Sequence, residues 1–351
     1  MKSRRDFLKK VACIGGVAVA GSFLQSCGLK GKMDRLEELE KAMQPPPLIE
    51  QKARVALVKT ENRAEGIESA LNLLGINPAE GRQVFLKPNF NSADPFPGST
   101  HNETLETLVS RLWDMGATSI VVGDRSGMGD TREVMQNKGI FEMAKRLDFE
   151  VLALNDLTTD RWEMFQPEGS HWQKGFPFSK DCLRSPCVVQ TCNLKTHRFG
   201  GHFTLSLKNS VGLAAKFYPG DSYDYMRELH SSPDQRLMIA EINSAYSPNL
   251  ILMDGVEAFA EGGPDKGKKV KPNVILASTD RIAVDAVGVA ILRQFGTTPE
   301  VSRGPVFQQQ QIARAVELEL GVDSPENIAI ISADPEAEDM ANELKAILLE
   351  E

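Results

Sequence analysis

Short β-rich segments alternate with amphipathic helical segments through most of this 351-residue chain, and this alternation is its most constraining feature. Apolar residues recur at helical spacing in segments such as 103–115, whereas 54–59 is a nearly continuous apolar run typical of a buried strand. Strands that alternate with helices build a parallel sheet flanked by helices. We therefore predict an α/β fold with a mostly parallel sheet and helices on both faces.

The pattern predicts eight strands and seven helices. The strands are 54–59, 83–87, 119–123, 150–154, 187–193, 250–254, 274–278 and 328–332, and the helices are 63–74, 103–115, 131–147, 234–246, 281–295, 308–320 and 335–348. Around 155–185 the rhythm breaks, and aromatic residues such as Trp162, Trp172 and Phe176 cluster there. We expect an irregular insertion, in the form of a flap or a small antiparallel piece.

Polar residues follow five of the predicted strands. The segments are Lys87-Pro88-Asn89, Gly123-Asp124, Lys195-Thr196-His197, Asp254-Gly255 and Thr279-Asp280. Because the carboxyl ends of parallel strands meet at one edge, where open α/β sheets bind ligands, these side chains are expected to share a crevice. Asp after a strand is also a common helix cap, which is the role we expect of Asp280. For Asp124 and Asp254 both roles stay open.

Capping does not account for the lysines in this set, because the helix dipole disfavours a cation near a helix N-terminus. Lys87, Lys195 and Lys208 together suit an anionic ligand, either a carboxylate or a phosphate. Asn89 and Asn209 are predicted to orient that ligand. The predicted partner of the crevice is thus a small anionic molecule.

Histidine offers the best single candidate for chemistry. Of the five histidines, His197 lies in a glycine-containing loop beside Lys195, and it is predicted to be a general base or a metal ligand. The predicted catalytic set is His197, Lys195 and Asp124. A purely structural role for His197 stays open, and His171 and His230 are expected to lie at the surface.

A divalent transition metal is one cofactor that the sequence allows. His101, His197 and Asp254 form a predicted set of mixed nitrogen and oxygen ligands, and the loop 261–267 is either a cover for this site or a plain surface turn. No short metal motif fixes the assignment. The glycine-rich segments match neither a dinucleotide fingerprint nor a P-loop, and no nucleophile elbow occurs, so we predict no nucleotide cofactor.

The cysteines of the body do not indicate a metal cluster. Cys182, Cys187 and Cys192 are spaced C-x4-C-x4-C, which matches no common zinc or iron–sulfur pattern. A Cys182–Cys187 disulfide stays open outside the cytoplasm, whereas Cys192 is expected to be a buried apolar thiol.

An ordered set of these segments resembles a family of bacterial and archaeal proteins described as domain of unknown function 362, over roughly residues 55–290. The matching segments are Lys87-Pro88-Asn89, Thr100-His101, Gly123-Asp124, Lys195-Thr196-His197, the run 204–209, Asp254-Gly255, the run 261–264, and Asp280 to Asp285. Many relatives add a ferredoxin-like iron–sulfur module, but this chain has no C-x2-C-x2-C run, so the resemblance does not imply electron transfer. Relatives often carry Pro-Lys where Cys192-Asn193-Leu194 stands here.

The first residues predict the cellular localisation of the protein. Residues 1–26 combine a basic start, an apolar run too short to span a bilayer, and Arg4-Arg5 in a segment similar to a twin-arginine export signal. The run ends in Leu24-Gln25-Ser26-Cys27, which resembles a bacterial lipobox. We predict a signal peptide over 1–26, lipidation of Cys27, a tether over 27–51, and an α/β domain over 52–351. The translocase, the lipoprotein-processing machinery and a membrane are the implied partners.

The net charge of −8 argues against nucleic-acid binding, because that affinity rests on neutralising phosphates. The leading hypothesis is an exported, membrane-anchored α/β protein with an enzyme-like pocket for a small anion, which uses metal-assisted or acid–base chemistry. The alternatives are a non-catalytic solute-binding or scaffold lipoprotein and an accessory factor of an exported redox system.

Overall fold

A computed structural model describes residues 52–350 of the chain, and these residues fold around one large mixed sheet. The predicted signal peptide, Cys27 and the tether lie outside the described residues. In the large sheet, eight strands lie side by side in the order β12-β1-β11-β9-β7-β2-β3-β4, while β10 pairs with β9 and β8 pairs with β7.

The elements are numbered here in chain order. The strands are β1 Ala53–Lys59, β2 Gln83–Lys87, β3 Ser119–Asp124, β4 Glu150–Ala153, β5 Trp162–Phe165, β6 Phe176–Ser179, β7 Cys187–His197, β8 His202–Thr204, β9 Leu250–Gly262, β10 Gly267–Val270, β11 Val274–Ser278 and β12 Ile328–Ser332. The helices are α1 Arg63–Leu74, α2 Asn102–Asp114, α3 Thr131–Asn137, α4 Ile140–Leu147, α5 Lys180–Arg184, α6 Ser206–Asn209, α7 Tyr225–Ser231, α8 Gln235–Ile242, α9 Arg281–Gln294, α10 Pro299–Ser302, α11 Gln310–Glu317 and α12 Pro335–Leu349.

The mostly parallel sheet is confirmed, with one reversal in its middle. Among the eight strands of the main order, β11 alone runs against the others, because it pairs antiparallel with both β1 and β9. The end of β11 therefore lies at the opposite edge from the ends of β2, β3 and β7. The expectation that Thr279-Asp280 joins the shared crevice is wrong, and Asp280 instead caps α9 by accepting from Ile282 N and Ala283 N.

Helices cover both faces of the sheet, as predicted. The strand residues alternate between two apolar clusters: in β1, for example, Val55 and Leu57 face one cluster while Ala56 and Val58 face the other. Helices α9, α11 and α12 complete the first cluster, and α1, α2 and α4 complete the second. This two-sided burial explains why these strands have apolar residues on both faces.

The segment 155–185 is an insertion with its own small sheet. Strands β5 and β6 form an antiparallel pair, which confirms one of the two forms expected for this segment. Its aromatic residues pack against the sheet in a third cluster that includes Trp162, Trp172, Phe176 and, from β2, Phe85. The insertion therefore extends the hydrophobic core on the same face of the sheet as α9, because Val188 of the third cluster and Cys192 of the first cluster lie on one side of β7.

Three predicted boundaries differ in ways that matter for function. Strand β7 continues past Asn193 to His197, and β9 continues past Asp254 to Gly262. Lys195 and His197 are thus strand residues, and Asp254 lies inside a strand. The predicted helix 131–147 is two helices, which are separated by Gly139 at a φ of 71°. Within 52–350, no helix is both long enough and apolar enough to cross a membrane.

Candidate functional site

A cavity of about 110 Å³ lies beyond the carboxyl ends of β2 and β3, against the extended part of β7. The chain order places a switch point here: from β2 it proceeds to β3 and β4 on one side, and then to β7, β9 and β11 on the other. Such switch points are where open α/β sheets bind ligands. The cavity therefore occupies the position that the topology favours for a site.

Seven of the nine predicted catalytic, ligand-binding and metal-binding residues within 52–350 line this cavity. They are Lys87, Asn89, Asp124, Lys195, His197, Lys208 and Asn209. Strands β2, β3 and β7 and helix α6 contribute them, so the convergence depends on the tertiary fold and not on one local motif. Among the described residues, four basic side chains line the cavity against one carboxylate, since Arg125 adds to the three lysines and Asp124 is the single acid. The site is strongly electropositive.

A buried ion pair forms the floor of the cavity. Lys87 Nζ lies 2.7 Å from Asp124 Oδ1, and both side chains are almost fully buried. Asp124 also accepts from the backbone N–H groups of Phe90 and Arg125 at 2.7 Å each. Burial raises the pKa of Asp124, while Lys87 and these two N–H groups counteract the rise.

Gly212 lets the backbone cover this ion pair closely. A Cβ atom at this position would overlap Asp124 Oδ1 and stand 2.8 Å from Lys87 Nζ. The absence of a side chain at residue 212 is therefore a requirement of the Lys87–Asp124 geometry.

Two amides connect the lysines across the cavity wall. Lys195 Nζ donates to Asn89 Oδ1 at 2.9 Å, and Asn89 Nδ2 donates to Asn209 Oδ1 at 3.1 Å. Asn209 Oδ1 also accepts from Lys87 Nζ at 3.2 Å, and Asn209 Nδ2 donates to Thr191 O at 3.2 Å. This network fixes the orientation of both amides and occupies their polar atoms. Asn89 and Asn209 therefore position the lysines.

The cavity also contains donors that the protein itself leaves without an acceptor. Lys208 is 8% exposed and makes no hydrogen bond or ion pair with any residue of 52–350. Asn91 Nδ2 and Thr204 Oγ1 line the same cavity, are buried, and have no partner within the described chain. Because an unpaired buried polar group is costly, these two donors beside the amine of Lys208 indicate a place for an acceptor from outside the protein.

Burial and nearby positive charges lower the pKa values of Lys195 and Lys208. Burial, followed by the charge of Lys208, lowers the pKa of Lys195 to about 7. Burial, followed by the charge of Arg125, lowers the pKa of Lys208 to about 8. Both groups therefore exchange protons close to neutral pH, which is unusual for lysine.

The imidazole of His197 is neutral in this environment. Burial lowers its pKa well below the usual range, and the nearby charges of Lys208 and Lys195 act in the same direction. His197 Nδ1 accepts from Gly201 N at 3.3 Å, which leaves Nε2 as the nitrogen that carries the proton. His197 is accordingly a hydrogen-bond donor through Nε2.

The two remaining predicted residues lie outside the cavity. Asp254 is fully buried in an ion pair with Arg63 Nε at 2.9 Å and accepts from Thr104 Oγ1 at 2.5 Å. His101 caps α2, where its Nδ1 accepts from Glu103 N. The structure thus does not bring His101, His197 and Asp254 together, because β9 continues past Asp254. Between residues 52 and 350, no three His, Cys, Asp or Glu side chains are grouped to hold a metal ion.

The loop 261–267 contacts the site through Pro264. Glu261 is exposed and pairs with Lys268 at 2.9 Å, while Pro264 lines the cavity. Cys182, Cys187 and Cys192 are buried free thiols, which confirms the expectation for Cys192.

Sequence reasoning missed several residues of the site. Arg125 donates to the carbonyl oxygens of Ala214, Ser126 and Val211, and thereby holds the segment that contains Gly212. His230, expected at the surface, lines the cavity because α7 brings it there, and its Nδ1 lies 2.6 Å from Met226 O.

Asp285 fixes helix α6 from outside the cavity. Its two carboxylate oxygens accept from Ser206 N at 2.7 Å and Leu207 N at 2.9 Å. Burial raises the pKa of Asp285 to about 7, and these two N–H groups oppose the rise. The carboxylate sets the place of the helix that carries Lys208 and Asn209. The one sequence signal for Asp285 was its position in the segment 280–285, which is among the segments that resemble the domain of unknown function 362 family.

A family model described as domain of unknown function (DUF362) matches residues 84–290 of the chain. The chain belongs to this family. Every cavity-lining residue lies within the matched segment, so the DUF362 domain contains the entire candidate site. The match begins at β2, later than the residue 55 expected from the motifs.

The chain is similar to one curated protein in sequence and to one solved structure in fold. A thylakoid-associated protein of Synechocystis sp. is 25% identical over 218 residues, which cover 61% of this chain and 64% of the relative. This DUF362 chain thus matches somewhat less than two thirds of that protein. The lactate racemase apoprotein of Thermoanaerobacterium thermosaccharolyticum aligns with a TM-score of 0.42 and 12% identity, over 86% of this chain and 88% of that one.

Proposed function

We propose that the cavity binds a small anion, a carboxylate or a phosphate, and performs acid–base chemistry on it. The observation that carries this proposal is a set of three donors without a partner among residues 52–350, namely the amine of Lys208 and the buried Asn91 Nδ2 and Thr204 Oγ1, in a cavity with an excess of basic side chains. An anion is the ligand that satisfies all three donors and offsets the excess charge.

The residues around the anion have distinct roles in this proposal. Lys208 binds the anion by charge, and the network of Asn89 and Asn209 holds Lys195 beside it. Lys195 is the base, since its pKa of about 7 leaves much of the amine neutral at physiological pH. The proton on His197 Nε2 supplies a neutral donor for developing negative charge on the substrate.

We assign this chemistry to protein groups rather than to a metal ion. The divalent metal considered from the sequence lacks a set of three ligands in the described part of the chain. Asp124, the one carboxylate that residues 52–350 contribute to the cavity, is already engaged by Lys87 and two backbone N–H groups.

The test measures ligand-induced stabilisation with matched pairs of small molecules. Acetate and inorganic phosphate are expected to raise the melting temperature of the purified protein, whereas acetamide, the neutral analogue of acetate, is expected not to. The Lys208→Met variant should lose the response, and Lys268→Met, which changes an exposed lysine, should keep it. Equal responses to acetate and acetamide would remove the anion site. Binding without turnover of any tested carboxylate would favour the non-catalytic solute-binding alternative.

We further propose that the protein is exported and anchored to a membrane through acyl chains on Cys27. The support is the leader sequence, with Arg4-Arg5 and the Leu24–Cys27 segment. Mass spectrometry of the mature N-terminus in membrane fractions tests the proposal, with Cys27→Ala as the variant that should leave the membrane. An intact Met1 N-terminus in the soluble fraction would contradict it.

A further inference from the structure

The three lysines of the cavity differ in how many acceptors surround each amine. Lys87 Nζ has three, namely Asp124 Oδ1 at 2.7 Å, Asn209 Oδ1 at 3.2 Å and Pro88 O at 2.5 Å. Lys195 Nζ has two, Asn89 Oδ1 at 2.9 Å and Gly98 O at 2.5 Å. Lys208 Nζ has none among residues 52–350.

The number of acceptors around each lysine corresponds to a different state of its amine. An ammonium has three N–H donors, so Lys87 is satisfied as a cation that stays in place. A neutral amine has two N–H donors and one lone pair, so the surroundings of Lys195 satisfy its neutral form and leave the lone pair unused. The amine of Lys208 retains all its donors for a ligand. Asn89 and Gly98 therefore hold Lys195 in the arrangement that a nucleophile requires.

We propose that the ligand is a 2-oxo acid, whose carboxylate binds Lys208 and whose carbonyl carbon is attacked by Lys195 to form an imine. This inference rests on the proposed anion site, adds the substrate class, and makes Lys195 the nucleophile in place of the base. A buried lysine beside a second cation is a known way to prepare an amine for imine formation, and the Lys195–Lys208 pair provides it. His197 Nε2–H is the neutral donor available to the carbonyl oxygen.

The reaction needs no further reagent. The Lys195 lone pair forms the C–N bond while the carbonyl π pair moves to oxygen. The oxygen takes up the two protons that the amine gives up and leaves as water, and the nitrogen pair completes the C=N bond. When the imine is protonated, it keeps one N–H for Asn89 Oδ1. The product is a covalent adduct plus one water, with no change in oxidation state.

Borohydride trapping tests this proposal directly on the full-length protein. Pyruvate is the probe, and sodium borohydride reduces any imine to a stable secondary amine. We expect peptide mapping to find one carboxyethyl group on Lys195, in preference to the exposed lysines. Lys195→Arg should lose this label, Lys268→Met should retain it, and an excess of propionate, which has the carboxylate but no ketone, should suppress it.

Parallel binding measurements separate the failure of this inference from the failure of the anion site. Propionate and pyruvate are both expected to raise the melting temperature, and Lys208→Met should remove both shifts. If both ligands stabilise the protein but no adduct forms at Lys195, the imine is refuted and the anion site stands. If neither ligand stabilises it, the anion site itself is refuted. Labelling spread evenly over exposed lysines also overturns the imine, and this result does not depend on any variant.

Discussion

Replacing Lys208 by Met should stabilise the protein, by an amount that depends on pH. The native pKa of Lys208 is about 8, against a usual value of 10.5. Between these values the unfolded chain binds more protons than the native protein, so the stability of the wild type rises with pH in this window. At about 1.36 kcal/mol per pKa unit, the buried charge costs roughly 3 kcal/mol at pH 7 and below, and roughly 1 kcal/mol at pH 10.

The Met side chain removes this cost without leaving any acceptor unpaired, because Lys208 has no partner within residues 52–350. Urea unfolding at several values between pH 7 and pH 10 measures the difference in free energy of unfolding between variant and wild type. We expect an advantage for Lys208→Met that shrinks as the pH rises, accompanied by the loss of acetate binding. Such a trade of function for stability is common at binding sites.

Two controls make the result specific. Lys268→Met removes an exposed lysine and should change the free energy of unfolding by less than about 0.5 kcal/mol. Lys208→Arg keeps the cation and should not gain the same advantage. A Lys208→Met variant that is no more stable than the wild type at pH 7, with a difference that does not vary with pH, would refute the assignment of Lys208 as an unpartnered buried cation.

Three further substitutions test the surrounding structure. Asp124→Asn leaves Lys87 as an uncompensated buried charge and should lower the free energy of unfolding by about 3–5 kcal/mol, measured by urea unfolding. Asp254→Asn should cost a similar amount by breaking the pair with Arg63, yet leave acetate affinity unchanged in calorimetry, since Asp254 lies outside the cavity; a large loss of affinity would contradict this placement. Asp285→Ala removes the acceptors of Ser206 N and Leu207 N, so acetate affinity should fall although Asp285 touches no ligand; an unchanged affinity would show that α6 holds its place without this carboxylate.

The fold was largely predictable because buried strands and helices have characteristic apolar patterns in the sequence. Strands such as β2 and β11 and helix α1 have the predicted bounds, since apolar runs and caps such as Asn62 mark them clearly. The sequence does not indicate the direction of β11, because a strand that is buried on both faces has the same apolar pattern whether it runs parallel or antiparallel. The prediction that Thr279-Asp280 joins the shared crevice was wrong for this reason.

Strand ends near the site were harder to predict, because polar residues there remain in strands. Lys195 and His197 belong to β7 since their backbones pair with β8, at Thr204 and His202, and this pairing depends on a hairpin that the sequence does not mark. Asp254 lies inside β9 because Arg63 and Thr104 satisfy its carboxylate from distant parts of the chain. The chemistry of single residues was visible in the sequence, whereas their partners were not.

The same limit applies to the donors that define the site. Asn91 and Thr204 became informative only because each has a buried polar atom without a partner among residues 52–350, which is a property of the packed structure. His230 enters the cavity from α7, a short helix that the apolar pattern did not predict. Lys87, Lys195 and Lys208 could be identified from the sequence because helix capping does not account for lysines in this set.

The position of the cavity follows from a difference in strand length at the switch point. The pairing of β2 with β7 ends at Lys87 and Gln190, whereas β7 continues to His197 and is supported on its other side by β9. The seven residues beyond Gln190 therefore rise as a wall above the edge where β2 and β3 end. Lys87 and Asp124 lie at that edge, and Lys195 and His197 lie on the wall. A parallel sheet with equal strands would place all four groups on one open rim, where water screens charge. The wall that the longer β7 forms above this edge buries them instead. Burial is the largest cause of the low pKa values of Lys195 and Lys208.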